Sequence, residues 1–260
     1  MTTLPTSPCP NPPAARCPVV ELRQYTLHAG RRDALIALFD RAFVEPPEAA
    51  GMRVLGQFRD LDDATRFVWL RGFADMAARS RSLAAFYDGP VWRAHRDEAN
   101  ATMIDSDDVL LLRPVLDAPL PVEAWPRAAR SVGAPPPGDG AVLALVLALA
   151  PDAPPHRIDA AIAPLMRSLA ATLPATGGKL AACYVTETSA NGYPRLPVRE
   201  GESVFVWLAR FDTRQACQRL AAALGSSTAQ GAIALARAAA LALVATPQVL
   251  RLAPTARSRF

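Results

Sequence analysis

The chain has 260 residues, 51% of them hydrophobic, with 28 basic against 24 acidic side chains and a net charge of +4. Lys179 is the sole lysine and no Lys/Arg run occurs, so the arginines are dispersed and the basic stripe of a nucleic-acid-binding protein is excluded. The longest apolar stretches, 141–150 and the alanine-rich 232–245 broken by Arg237, fall short of the roughly 20 residues a membrane span requires, and the length suits two small domains.

Residues 1–18 carry Pro5, Pro8, Pro10, Pro12, Pro13 and Pro18 and read as a disordered tail without the basic start and apolar stretch of a signal peptide. Cys9, Cys17, Cys183 and Cys217 lack metal-like or redox spacing, so free thiols in a cytoplasmic protein are expected. Val19 to Leu27 is strand-like and stops at Gly30; Leu35, Leu38, Phe39, Ala42 and Phe43 then recur at helical steps until Pro46-Pro47. Met52–Arg59 and Phe67–Phe73 read as a hairpin. Asp75 caps a helix carrying Met76, Arg79, Leu83 and Phe86, Asp88-Gly89-Pro90 breaks it, a helical piece runs from Val91 to about Ala99, and Val109–Arg113 is a strand. The order β-α-β-β-α-β is that of a ferredoxin-like unit with both helices on one face of a four-stranded sheet.

After a Pro/Gly-rich linker at 115–140 the order repeats: strand Val142–Leu149, helix near Ile158–Leu173, strands Leu180–Glu187 and Val204–Phe211, a helix that Asp212 is expected to cap, and strand Gln248–Leu252. Pro164 either kinks the first of these helices or lies in its first turn. The repetition is literal in places. Phe67-Val68-Trp69-Leu70-Arg71-Gly72-Phe73 returns as Phe205-Val206-Trp207-Leu208-Ala209-Arg210-Phe211, and Val109–Pro114 returns as Val249–Pro254. Matches that keep order and nearly keep offset mark a tandem duplication. The fold class expected is α+β, two ferredoxin-like units packed sheet to sheet as a pseudo-dimeric barrel. The units are 19–114 and a degenerate 141–254, with a tail at 255–260.

Strand alternation sorts the first half into two sets. One is apolar: Leu22, Val54, Phe58, Val68, Leu70, Leu110 and Leu112. It is expected to pack beneath the helices. The other holds Glu21, Arg23, Tyr25, Arg53, Leu55, Gln57, Phe67, Trp69, Arg71, Phe73 and Arg113, and is expected to line a cavity inside the barrel, opposite an apolar wall from the second half where Ala209 stands for Arg71. Arg23 and Arg71 suit a carboxylate or other planar anion, with Gln57, Trp69, Tyr87 and Trp92 as further substrate contacts. Tyr25 or His95 is the candidate proton-transfer group. Against this stands a structural reading, in which Glu21 and the arginines satisfy one another as a buried ion-pair cluster. His95 and Glu98 lie one helical turn apart, but no third ligand accompanies them, so no metal site is expected. No phosphate loop, dinucleotide fingerprint or nucleophile elbow occurs, and no cofactor is expected.

With Glu21–Leu27, Phe67–Phe73 and above all Phe86-Tyr87-Asp88-Gly89-Pro90-Val91-Trp92-Arg93-Ala94-His95 in view, the first half resembles the NIPSNAP family from about Val19 to Pro114. The resemblance implies a dimeric α+β barrel, a fold shared with small cofactor-free oxygenases and haem-degrading proteins. The Gly-Pro-Val-Trp element has no counterpart near Gly225–Ala232, so the second copy is expected to have lost any site. Two functions follow from these readings: a cofactor-independent enzyme of oxygenase or isomerase type on a small anionic or aromatic metabolite, or a non-catalytic binding or assembly protein. The partner expected is a small molecule, with neither nucleic acid nor membrane, and with the pseudo-dimer contained in one chain and further homo-oligomerisation left open.

Overall fold

In a computed structural model of the chain, residues 17–115, 131–135, 138–150, 155–224 and 242–260 are described. The expectations for residues 1–16, for most of the linker and for 225–241 lie outside them. The first half runs β1 (Val19–Leu27), α1 (Arg32–Ala42), α2 (Glu45–Ala49), β2 (Arg53–Asp60), β3 (Arg66–Phe73), α3 (Met76–Tyr87), α4 (Pro90–Asn100) and β4 (Met103–Pro114). The second runs β5 (Ala141–Leu149), α5 (Pro155–Thr176), β6 (Gly178–Thr186), β7 (Ser203–Phe211), α6 (Arg214–Leu224) and β8 (Gln248–Pro254).

The eight strands close into one ring, β1-β3-β2-β8-β5-β7-β6-β4. Each half contributes the ferredoxin-like order, β4-β1-β3-β2 and β8-β5-β7-β6, and the two seams are equivalent: β2 pairs with β8 through Phe58↔Pro254, and β4 with β6 through Pro114↔Tyr184. Even the irregularities repeat. A register shift at Val54/Gly56 in β2 returns at Leu180/Ala182 in β6, and such bulges re-aim side chains. Closure leaves no sheet edge exposed.

Local chemistry explains the helix limits. Asp75 Oδ1 accepts from Ala78 N at the start of α3, which satisfies one of the free amides of the first turn. In the second half Thr213, not Asp212, does this, its Oγ1 accepting from Ala216 N. Asp212 instead lies 3.9 Å from Lys179. Asp75 and Thr213 are related by the same offset as Phe67 and Phe205, so the repeat itself pointed to Thr213. Pro164 falls inside α5, well past its first turn. Residues 255–260 pack against β2: Ser258 Oγ accepts from Gln57 N, and the Phe260 ring lies 5.1 Å from that of Phe58.

The two side-chain sets face opposite to expectation. Leu22, Val68, Leu70, Leu110 and Leu112 join Val142, Ala144, Val206, Leu208, Leu250 and Leu252 in one buried cluster drawn from both sheets, which fills the barrel. Leu55 belongs there too, turned inward beside the bulge. Tyr25, Phe67, Trp69 and Phe73 pack outward with Leu35, Phe39, Phe43, Leu83 and Phe86 of α1, α3 and the segment between them. Burying each large apolar side chain in the barrel contributes roughly 1.5–3 kcal/mol, and a charged set there would have opposed both apolar walls. The polar set therefore occupies the layer between the first sheet and its own helices.

Candidate functional site

In that layer the β1–β3 ladder sets Glu21 opposite Arg71 and Arg23 opposite Trp69. Glu21 is completely buried and is the hub. Its Oε2 accepts from Arg23 Nη1 at 2.8 Å and Arg71 Nε at 2.7 Å, and its Oε1 accepts from Arg79 Nε at 2.7 Å. All three guanidinium groups are essentially inaccessible, at 1%, 1% and 0% exposure for Arg23, Arg71 and Arg79. One carboxylate thus serves three buried cations. The remaining donors are only partly used: Arg71 Nη1 reaches Tyr87 Oη at 3.3 Å, while Nη2 sits 2.7 Å from Glu21 Oε2 but outside hydrogen-bond geometry. Among the described residues Arg79 Nη2 and Trp69 Nε1 also lack hydrogen-bond partners.

A cavity of about 30 Å³ opens beside Arg71, lined by Tyr25, Leu35, Phe39, Phe43, Pro47, Trp69, Phe86, Tyr87, Trp92, Ala99 and Met103. That is room for a water or two, or for the head of a small ion. Its wall is otherwise aromatic and aliphatic, with the Arg71 guanidinium 5.1 Å from the Trp69 ring and 5.9 Å from that of Tyr87. Tyr87 and Trp92 are half-buried and in edge contact, their centroids 4.8 Å apart. The turn between them needs Gly89, because a Cβ there would meet Ala85 O at 2.8 Å and Phe86 O at 3.0 Å.

Burial would raise the Glu21 carboxyl, but the guanidinium groups of Arg71, Arg23 and Arg79 outweigh it and hold the group well below the usual carboxylate range. Burial pushes the Tyr25 phenol up, with Arg23 opposing. A phenol so raised stays protonated at neutral pH. Its oxygen accepts from Arg23 Nε at 3.1 Å, and the side chain lines the cavity.

The candidates named from sequence divide as follows. Tyr25, Trp69, Arg71, Tyr87 and Trp92 line the cavity. Arg23 stands behind Tyr25, bonded to it, to Glu21 and to Ser106 O. Gln57 is buried but absent from the lining. His95 is also absent from it. Its Nδ1 lies 3.5 Å from Glu98 Oε2 on α4, and Glu98 in turn pairs with Arg41 of α1. Among the described residues no three His, Cys, Asp or Glu side chains gather to hold a metal.

Three residues escaped the sequence reading. Arg79 shows itself there only as a charged residue at an apolar position of its helix. Asn191 and Tyr193 come from the β6–β7 loop of the second half. Asn191 Oδ1 accepts from Arg79 Nη1 at 2.8 Å, and the Tyr193 ring stacks 6.4 Å from Tyr87. Nothing local in the sequence marks a contact more than a hundred residues away.

The ring of eight antiparallel strands with helices outside, and a cavity between one sheet and its helices, defines an α+β barrel of two ferredoxin-like units. Three solved structures share this fold over nearly the whole chain. One, from Fusobacterium nucleatum and provisionally assigned as a monooxygenase, is 10% identical with a TM-score of 0.54, over 92% of this chain and 93% of that one. An anthrone oxidase-like protein is 12% identical with a TM-score of 0.53, over 95% and 97%. A third, from Lactobacillus acidophilus and also provisionally a monooxygenase, is 12% identical with a TM-score of 0.51, over 93% and 97%. No functionally curated protein matches the chain. Residues 20–119 match the NIPSNAP family model. Among the described residues no helix is long and apolar enough to cross a membrane.

Proposed function

We propose that the cavity of the first half binds a small organic anion, with Arg71 holding the charged group and Tyr25, Trp69, Tyr87 and Trp92 enclosing an apolar or aromatic body. The observation that carries this reading is the charge count: Glu21 answers one of three buried guanidinium groups, leaving two in excess beside a cavity. A buried cation without a counter-charge is costly, and an anion at Arg71 would relieve that cost. The 30 Å³ void accepts the anionic head alone. A larger body requires the half-buried Tyr87 and Trp92 to swing outward.

The chemistry that suits the site is proton transfer or oxygenation of a bound anion without a cofactor. Tyr25 is the donor: held protonated, it stabilises negative charge developing on a ligand oxygen. His95, outside the lining, takes no direct part. That two solved structures of the same fold are provisionally monooxygenases and a third is oxidase-like agrees with this class of reaction, although at 10–12% identity the likeness bears on the fold alone. The non-catalytic alternative keeps the same ligand and omits the reaction.

The test is calorimetric titration with sodium acetate and sodium benzoate, the second supplying the aromatic body. Binding by the intact protein that Arg71→Ala weakens at least about tenfold, the scale of one charge-assisted hydrogen bond, is expected. Affinity unchanged by Arg71→Ala would remove the anion site.

A further inference from the structure

The β6–β7 connection, Glu187–Glu202, is much longer than its counterpart Leu61–Thr65 between β2 and β3. The extra length packs on the other half of the molecule. Ser80 Oγ of α3 donates to Gly192 O at 3.1 Å, Arg195 Nη1 donates to Asp88 Oδ1 at 2.7 Å, and Asn191 and Tyr193 meet Arg79 and Tyr87 as described. Asn191 is itself held from several sides: its N donates to Glu200 Oε1, its Nδ2 to Leu196 O, and its Oδ1 also accepts from Tyr193 N. A chain of contacts therefore runs from this loop to the cavity, Asn191 to Arg79 to Glu21 to Arg71, with Tyr193 supporting Tyr87 in parallel.

We infer that the loop 187–202 of the second half is a positioning element for the site of the first half, with Asn191 as its positioning residue. Arg79 has two anchors on opposite sides, Glu21 Oε1 on β1 and Asn191 Oδ1 on the loop. With Asn191 gone, one terminal nitrogen loses its acceptor while the other already lacks one, so the guanidinium is free to turn about its bond to Glu21. Glu21 is then pulled unevenly, and Arg71, which shares its other oxygen with Arg23, loses its fixed direction toward the cavity. The second copy thus serves the first through this loop, although its own equivalent layer is apolar.

This inference rests on reading the cavity as an anion site, so its test has an arm that needs no ligand. In the full chain, hydrogen exchange of the arginine Nε–H groups is followed by nitrogen-15 NMR for the wild type, Asn191→Ala and Asn191→Asp, with benzoate titrated into each. Asn191→Ala is expected to speed exchange about tenfold at Arg79 and measurably at Arg71, and to weaken benzoate by a similar factor, the scale of a lost charged hydrogen bond. Asn191→Asp gives up the bond from Nδ2 to Leu196 O but keeps a charged acceptor for Arg79, so exchange at Arg79 and Arg71 should be slower than in Asn191→Ala. Amide exchange in β5 and β7 should not change. Acceleration at Arg79 with none at Arg71 overturns the coupling whether or not benzoate binds, and a wild type that ignores benzoate but shows the expected exchange pattern counts against the ligand reading alone. Should Asn191→Ala not fold, Arg195→Ala, which frees the loop from Asp88 at the surface, carries the same test with a smaller expected acceleration.

Discussion

The two halves share a topology, a bulge, a capping position and an aromatic frame, yet the layers between sheet and helices are chemically opposite. The strand ladders fix the correspondence: Glu21↔Arg71 and Arg23↔Trp69 in the first half answer to Leu143↔Ala209 and Leu145↔Trp207 in the second. Tyr25 opposite Phe67 answers to Leu147 opposite Phe205. The offset linking Phe67 to Phe205 carries Arg79 onto Cys217. Every charged member has become apolar, and Leu143, Leu145, Leu147, Ala209 and Cys217 form a continuous core with Leu165, Leu169 and Leu220. Burial, the largest cause, pushes the Cys217 thiol up to about 12, as an inert apolar setting would. The second half thus builds the same fold without the charges, which supports the proposal that they serve function in the half that keeps them.

The sharpest way to break the comparison is to disturb one side of the charge balance. Glu21→Leu alone should destabilise the protein by about 3–5 kcal/mol, because three guanidinium groups remain buried without a carboxylate. Ala209→Arg should cost a similar amount by placing an unpaired cation in the apolar layer of the second half. Chemical denaturation measures both. The fourfold exchange Glu21→Leu, Arg23→Leu, Arg71→Ala and Arg79→Cys, which copies the second half, should cost less than Glu21→Leu alone, since it leaves no buried cation unpaired and its remaining cost is the space opened at Arg71 and Arg79.

Anion affinity gives a finer contrast. Arg71→Ala should weaken binding by roughly 1.5–3 kcal/mol, the scale of a charged hydrogen bond, whereas Ala209→Val should leave it almost untouched. The acid limb of stability separates the variants as well. Glu21 has a folded-state pKa below its ordinary 4.5, so its contribution is complete above the unfolded value and is lost as pH falls below about 4.5 toward the folded one. The fourfold variant should lack that part of the acid loss in denaturation midpoints measured from pH 6 downward. Smallest of all, Asp75→Ala and Thr213→Ala should each cost about 1 kcal/mol of thermal stability, as equivalent helix caps.

The strand order and the pseudo-dimeric barrel were legible in the sequence because the matching strands of the two halves keep their spacing. Which face was which was not, since alternation sorts side chains into two sets without saying what covers either. A clue lay in the divergence itself. Val68/Val206, Leu70/Leu208, Leu110/Leu250 and Leu112/Leu252 stay alike because both halves share one barrel interior, whereas the two outward layers, packed mainly against separate sets of helices, differ at Glu21/Leu143, Arg23/Leu145 and Arg71/Ala209. Tyr25, Trp69 and Arg71 could be picked out as a group by their shared strand alternation, and Tyr87 and Trp92 by the Asp88-Gly89-Pro90 break between them. Asn191 and Tyr193 could not, because a loop reaching across the molecule leaves no periodic trace.

The most direct test of the assignment is mass spectrometry of small molecules extracted from the purified protein and from its fourfold variant carrying the second-half residues. A single organic anion, near stoichiometric with the wild type and missing from the equally folded variant, is the expected result. Matching extracts from the two proteins would show that the buried arginines bind nothing and that the charged layer is only a different way of filling the same fold.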